Sequence, residues 1–212
     1  GARLWMHNNF LVERSGKMSK SSGEFLRLRL LIDRGYHPLA YRLLCLQAHY
    51  RSELEFSWEG LDAALTRLKR MVMAVDRLRD SKPAGSHPKL EPMRDAFDAA
   101  ISDDLNTPLA LTAFEDALAV KKVDAGAKRA AIEAMDTVLG LGLFDLGRVD
   151  LRLRPASATI EDTQIEAILE RRKAARADKD FALSDALRDE LAASGVEVMD
   201  GDPLGWDWTR AL

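Results

Sequence analysis

The sequence predicts a mainly α protein in three successive parts, and three observations carry that reading. Leu61, Leu65, Leu68, Val72, Val75 and Leu78 recur at three- and four-residue spacing, the stripe of one buried helix face. Helix start and stop signals recur along the chain, from Ser57 and Asn106-Thr107-Pro108 to Gly35, Gly140 and Gly195. Strand-like stretches are few and short: Leu4 to Val12, Val196-Glu197-Val198 and Trp206-Asp207-Trp208.

Taken in order, Leu4 to Val12 reads as a strand that enters a turn at Glu13-Arg14-Ser15-Gly16. Lys17 to Gly23 reads as a polar loop. Phe25 to Arg34 reads as a helix stopped by Gly35, and Pro38 opens a second helix to about His49, with Leu39, Leu43 and Leu46 on one face. Ser57 caps the long helix that follows. Three prolines between Ser81 and Pro92 mark an exposed connection, and Met93, Phe97, Ala100 and Ile101 face inward on the next helix. Asn106 and Pro108 start a helix through Val120. Ala127 to Leu141 forms another, with Ile132, Met135, Val138 and Leu139 inward and Gly140 or Gly142 closing it. These make an antiparallel helical bundle over residues 59–144. Residues 145–160, with Pro155 and Ser157, read as a linker. In 161–212, Ile165, Ile168 and Leu169 mark one helix and Phe181 to Leu191 another, ahead of a short hairpin of 196–198 with 206–208. So small a module is expected to lean on a neighbour for its core.

Composition limits the function classes. With 47% apolar residues, 31 Lys+Arg and 34 Asp+Glu in 212 residues, the chain is neither disordered nor fibrous. Its apolar runs, such as Leu43 to Leu46, fall far short of the roughly 20 residues that span a bilayer, so no membrane segment is expected. One cysteine, Cys45, excludes an internal disulfide and a cysteine-rich zinc site, and points to the cytoplasm. The first residues carry no initiator Met and no helix start, so the chain is expected to begin within a fold. The net charge of −3 is uneven. Residues 1–58 hold 9 Lys+Arg against 5 Asp+Glu, while the later parts are acidic. A basic first part suits an anionic ligand there, or equally an uneven scatter of surface charge.

Lys17-Met18-Ser19-Lys20-Ser21 is the stretch with most chemistry. Two lysines three residues apart, with hydroxyls and backbone N–H groups beside Gly16 and Gly23, suit a polyphosphate. On chemistry alone such loops are more often solvated and inert. A given five-residue string arises by chance in about one such chain in ten thousand, and this one resembles the KMSKS signature of class I aminoacyl-tRNA synthetases.

The flanks resemble cysteinyl-tRNA synthetase in order and spacing: Trp5-Met6-His7-Asn8, His49-Tyr50-Arg51-Ser52 before Phe56-Ser57-Trp58-Glu59, Asp103-Asp104-Leu105-Asn106-Thr107-Pro108, and Arg176 through Met199-Asp200-Gly201. The resemblance implies that residues 1–58 are the C-terminal remnant of a Rossmann-type catalytic domain, 59–144 a DALR-like bundle and 161–212 a small anticodon-binding module. It implies a ligase that activates cysteine with ATP and Mg and passes it to tRNA(Cys), with a monomer expected. Lys20 and Lys17 are the catalytic candidates, and Lys17, Met18, Ser19, Lys20 and Ser21 the ATP-binding ones. Arg176, Phe181, Asp185, Asp200 and Trp206 are the tRNA-binding candidates. Of Trp206 and Trp208, one is expected inward and the other open for stacking. Arg67, Lys69, Arg70, Arg77 and Arg79 read first as a solvated helix face. His7 and His49 flank motif residues but read first as ordinary hydrogen-bonded positions, and His37 and His87 as loop residues.

Two departures from the family pattern stand out. Ser22-Gly23-Glu24 replaces Leu-Gly-Asn, which puts a carboxylate near a phosphate loop. The HIGH-type motif and the Cys/His/Glu ligands of the family's zinc are absent from the sequence, and Cys45, between leucines, does not replace them. No metal-ligating residue is therefore expected, and the chain alone is expected to be inactive. Two other readings stay open: a stand-alone tRNA-binding module, and a cysteine:amino-sugar ligase of thiol-cofactor synthesis, which has no use for an anticodon module.

Overall fold

A computed structural model of the chain describes residues 2, 3, 5–13, 16, 17 and 27–210, with Glu13, Gly16 and Lys17 described by backbone alone. Strand β1 (Leu11–Glu13) pairs antiparallel with β2 (Gly16–Lys17) and parallel with β3 (Leu54–Phe56). Parallel neighbours need a long crossover. The chain between β1 and β3 contains α1 (Leu28–Asp33) and α2 (Pro38–Leu46). Lys17 thus lies in a strand, at the edge of the sheet among the described residues, rather than in a loop, while Met18, Ser19, Lys20 and Ser21 lie outside the described residues.

The described residues form two compact units, one of 2–17 and 38–147, the other of 27–37 and 148–210. In the first, α2 buries Ala40, Leu43 and Leu44. That face is turned from the expected Leu39-Leu43-Leu46, because the helix stops at Leu46 and leaves it half-buried. Helix α3 (Trp58–Asp76) starts where Ser57 Oγ accepts the Gly60 N–H at 3.0 Å, and its whole predicted stripe is buried. Helices α4 (Glu91–Ser102), α5 (Thr107–Ala119) and α6 (Ala125–Leu139) complete the bundle around Leu90, Phe97, Leu111, Phe114, Ile132 and Met135. Gly140 closes α6 at φ +64°, a left-handed conformation that costs a side-chain-bearing residue energy. Val138 is 52% exposed instead of inward, since Met135 and Leu139 fill the inner positions of that last turn.

The flank of α3 is less solvated than expected. Arg67 forks onto Glu115 at 2.7 and 2.8 Å, Arg79 donates to the carbonyls of Phe144 and Leu146, and Lys69 is buried. Packing by α5 and the 3-10 turn at Leu143–Asp145 leaves Arg70 and Arg77 of that group facing water.

In the second unit α7 (Asp162–Ala177) and α8 (Phe181–Ala193) pack on the antiparallel hairpin of β4 (Val196–Val198) and β5 (Trp206–Trp208). Ile165, Ile168, Leu187, Leu191, Val196, Trp206 and Trp208 form its core. Two segments read otherwise from the sequence belong to it. Residues 27–37, expected with the first part, join here: Leu31 and Tyr36 are buried, and the Ala156 N–H donates to Asp33 O at 2.8 Å. Gly35, at φ +83°, disfavours a side chain twice over, since the conformation is left-handed and a Cβ would meet Leu153 O at 3.0 Å. Residues 148–160, most of the expected linker 145–160, join this unit as well. Leu151 and Pro155 are buried, Arg152 lies over the Trp206 ring at 3.8 Å, and Arg154 pairs with Glu161. Their Pro and Ser content imitates a linker, but the side chains of Arg148, Arg152 and Arg154 all have partners.

Candidate functional site

Helix α7 sets Arg172 and Arg176 one turn apart on a single face. The turn after β4 brings Asp200 to them. Arg172 Nη1 lies 3.4 Å from Asp200 Oδ1, and Arg176 Nη1 lies 3.3 Å from Oδ2. Hydrogen bonding from Arg172 first, then Arg176, holds the Asp200 carboxyl below the usual carboxylate range. Arg172 is largely buried with no protein partner for its Nε, whereas Arg176 and Asp200 face solvent. The result is an exposed carboxylate that can accept from a base amino group, beside a guanidinium that can donate to a base acceptor.

Helix α8 supplies a second surface. After α7 the chain turns through Lys179 at φ +61°, and Asp180 caps α8 by accepting the Leu183 N–H at 3.0 Å. That places Phe181 at the first helical position, 63% exposed, with Asp185 exposed one turn later on the same side. An aromatic ring held in water by a capped helix end offers a flat face to a base.

Of the sequence candidates in this module, the structure brings Arg176 and Asp200 into one ion-pair cluster and leaves Phe181 and Asp185 on α8 outside it. Trp206 does not fit its assigned role. It is 2% exposed, packed edge-on against Trp208 with ring centroids 5.2 Å apart, and covered on one face by Arg152. Trp208 is equally buried, so neither ring of the hairpin is open for stacking. Hairpin alternation turned the two tryptophans to the same face, because residues two apart on a strand share a side. Arg172 was missed by sequence reasoning. The signal was available: it lies four residues before Arg176 on a predicted helix.

The first unit holds a different polar cluster. Tyr50 donates to Asp104 Oδ1 at 2.6 Å, and Arg51 Nη1 lies 2.8 Å from Oδ2. His49 Nδ1 accepts the Arg51 N–H at 3.3 Å, which leaves Nε2 as the donor 2.9 Å from Asp104 O. These contacts grip a turn in which Asp104 and Leu105 both have positive φ, +51° and +56°. Beside it lies an apolar cavity of about 350 Å³ whose lining includes Phe10, Cys45, His49, Leu54 and Leu105.

Zinc does not fit the described residues. None of their His, Cys, Asp and Glu side chains gather in threes that could hold an ion. Burial pushes the Cys45 thiol pKa up, away from the thiolate a metal needs. No helix among the described residues is long and apolar enough to cross a membrane.

Two family models match the chain: tRNA synthetases class I (C) catalytic domain over residues 1–66, and Cysteinyl-tRNA ligase anticodon binding domain over residues 162–203. The chain is 69% identical to a protein of Novosphingobium aromaticivorans named cysteine–tRNA ligase, over 100% of this chain and 43% of the relative. To the cysteine–tRNA ligase of Zymomonas mobilis it is 45% identical, over 98% of this chain and 47% of that protein. The cysteine–tRNA ligase 1 of Burkholderia lata is 42% identical over 94% of this chain and 40% of its own length. The chain therefore spans somewhat under half the length of these relatives. It carries part of a class I synthetase catalytic domain and an anticodon binding domain, and it belongs to the cysteine–tRNA ligase family.

Proposed function

We propose that this chain is the tRNA-reading and pyrophosphate-side portion of a ligase that joins cysteine to tRNA(Cys). The observation that carries the tRNA half is the surface Asp200 carboxylate, oriented by Arg172 and Arg176 within the segment matched by the anticodon binding domain. In this reading Arg176 and Asp200 contact edges of unstacked anticodon bases, Phe181 provides a stacking face and Asp185 a second acceptor. The same match weighs against an amino-sugar ligase, which reads no anticodon.

The catalytic half rests on Lys17 to Ser21. Magnesium-bound ATP is the partner substrate. As the cysteine carboxylate attacks the α-phosphorus, the bond to the bridging oxygen breaks and charge grows on departing pyrophosphate. Lys20, with Lys17, stabilises that charge more in the transition state than in the ground state, while Met18, Ser19 and Ser21 shape the loop. Residues 1–58 serve this chemistry, 59–144 contact the body of the tRNA and 161–212 read its anticodon. The protein acts in the cytoplasm, as a monomer.

The test is fluorescence anisotropy of the 212-residue chain with labelled tRNA(Cys) and with the same tRNA carrying another anticodon, at low and moderate salt. Base stacking and edge contacts of about 1–3 kcal/mol per base predict at least about tenfold preference for the cognate anticodon. Equal affinity for both tRNAs and for random RNA of the same length would refute the anticodon role.

A further inference from the structure

We propose that Arg148 is a positioning residue for anticodon reading, one that fixes the turn bearing Asp200 without touching RNA; the proposal rests on the anticodon role given above. The turn runs from Met199 to Gly205. It is closed by the Met199 N–H to Gly205 O at 2.9 Å and the Gly205 N–H to Asp202 O at 3.0 Å. Within it, two carboxylates two residues apart face opposite ways. Asp200 points out to Arg172 and Arg176, and Asp202 points in, its side chain 5% exposed.

Arg148 holds Asp202. Its Nε donates to Asp202 Oδ2 at 2.7 Å, and its Nη2 donates to Asp207 Oδ2 at 2.6 Å. One rigid guanidinium therefore sets the distance between the turn and strand β5. Each carboxylate is fixed again from its other side. Asp202 Oδ1 accepts the Leu204 N–H at 2.9 Å, while Asp207 Oδ1 accepts the Trp208 N–H at 2.8 Å and Arg210 Nη2 at 3.1 Å. Arg210 in turn donates through Nε to Gly35 O at 3.1 Å.

The side chain of Arg148 is only 5% exposed, so it presents no surface to a phosphate or a base. Its Nη1 has no protein partner. A buried pair left one hydrogen bond short is an inefficient source of stability, since charges taken out of water cost about what they return. Its effect on geometry is direct. Only Gly201 separates Asp200 from Asp202, so freeing Asp202 shifts the carboxylate on which Arg172 and Arg176 converge.

The experiment compares the unmutated 212-residue chain with Arg148→Lys, which keeps the charge but loses the fork, and with Asp202→Asn, which keeps the shape. Affinity for tRNA(Cys) and for its anticodon variant is read at several salt concentrations, with the near-ultraviolet circular dichroism of the aromatic side chains, Trp206 and Trp208 among them, reporting the fold. The expected result is a fall of about tenfold in the cognate-to-variant ratio for both substitutions. Affinity for the variant tRNA and its salt slope stay unchanged, because no phosphate contact is lost. A folded Arg148→Lys with the unmutated ratio would overturn the proposal, as would a uniform loss of affinity with a shallower salt slope. Should Arg148→Lys fail to fold, Asp202→Asn carries the same expectation and the same refutation. Absence of any anticodon preference in the unmutated chain would instead defeat the anticodon role itself, and this one with it.

Discussion

At Phe181 the proposed stacking role and stability can be tested apart. Its ring is 63% exposed at the first position of α8, so truncation removes little buried area, and surface changes of this kind stay within about 0.5 kcal/mol. A stacked base on that ring is worth about 1–3 kcal/mol. Phe181→Ala is therefore expected to leave the thermal midpoint nearly unchanged while weakening tRNA(Cys) binding about fivefold or more. A melt together with anisotropy checks both halves, and a variant that loses stability but not affinity would return Phe181 to a packing role. Trp206 shows the converse. Aromatic character alone placed both residues in the same class, and burial divided them: a ring that fills a core between Trp208 and Arg152 has no face left for a base.

Among the elements, the turn at Asp104-Leu105 holds two consecutive side-chain-bearing residues in a conformation that L-residues avoid, which costs energy that contacts from elsewhere must offset. Those contacts are the Tyr50 hydroxyl and, after it, the Arg51 guanidinium, and together they hold the Asp104 carboxyl below its usual range. A carboxyl with a depressed folded pKa contributes stability above its unfolded pKa of about 3.9 and loses it as pH falls through the folded value. Asp104→Asn, which tolerates the same backbone, is therefore expected to lower the thermal midpoint by a constant amount between pH 5 and 8, with the gap to the unmutated chain closing below about pH 4. A gap that persists unchanged to strongly acidic pH would show that charge is not what grips the turn. The sequence placed the helices on either side of this turn through Phe97, Asn106 and Pro108, because periodicity and caps are local. The grip itself joins residues 54 positions apart and leaves no local trace. The same holds for β3, three residues long, which exists through its partner β1 rather than through any pattern of its own. The packed segment 148–161 was illegible for a related reason: its buried Arg148 is polar, and the carboxylates that hold it, Asp202 and Asp207, lie more than fifty positions away.

At the scale of the whole molecule, the division into units crosses the order of the chain. A reading by continuous segments could not separate residues 27–37 from their neighbours on either side, since nothing local to Gly35 or Tyr36 names Leu153 and Pro155 as company of the one and Arg210 of the other. Each unit nonetheless has a core of its own. Ile132 is fully buried among the bundle helices, and Ile165 is fully buried against Leu187, Leu191 and Trp206. Cutting either to alanine costs about 2–5 kcal/mol, the transfer of the lost carbons plus the cavity they leave. If the cores melt independently, the two-state approximation fails for the chain as a whole, and the calorimetric enthalpy exceeds the van't Hoff enthalpy. Scanning calorimetry is then expected to resolve two components, with Ile132→Ala moving one and Ile165→Ala moving the other. The component lowered by Ile165→Ala is expected to rise when tRNA(Cys) is present, since a ligand bound to one folded unit stabilises that unit by mass action. One transition shifted equally by both substitutions would mean that the two cores unfold as one.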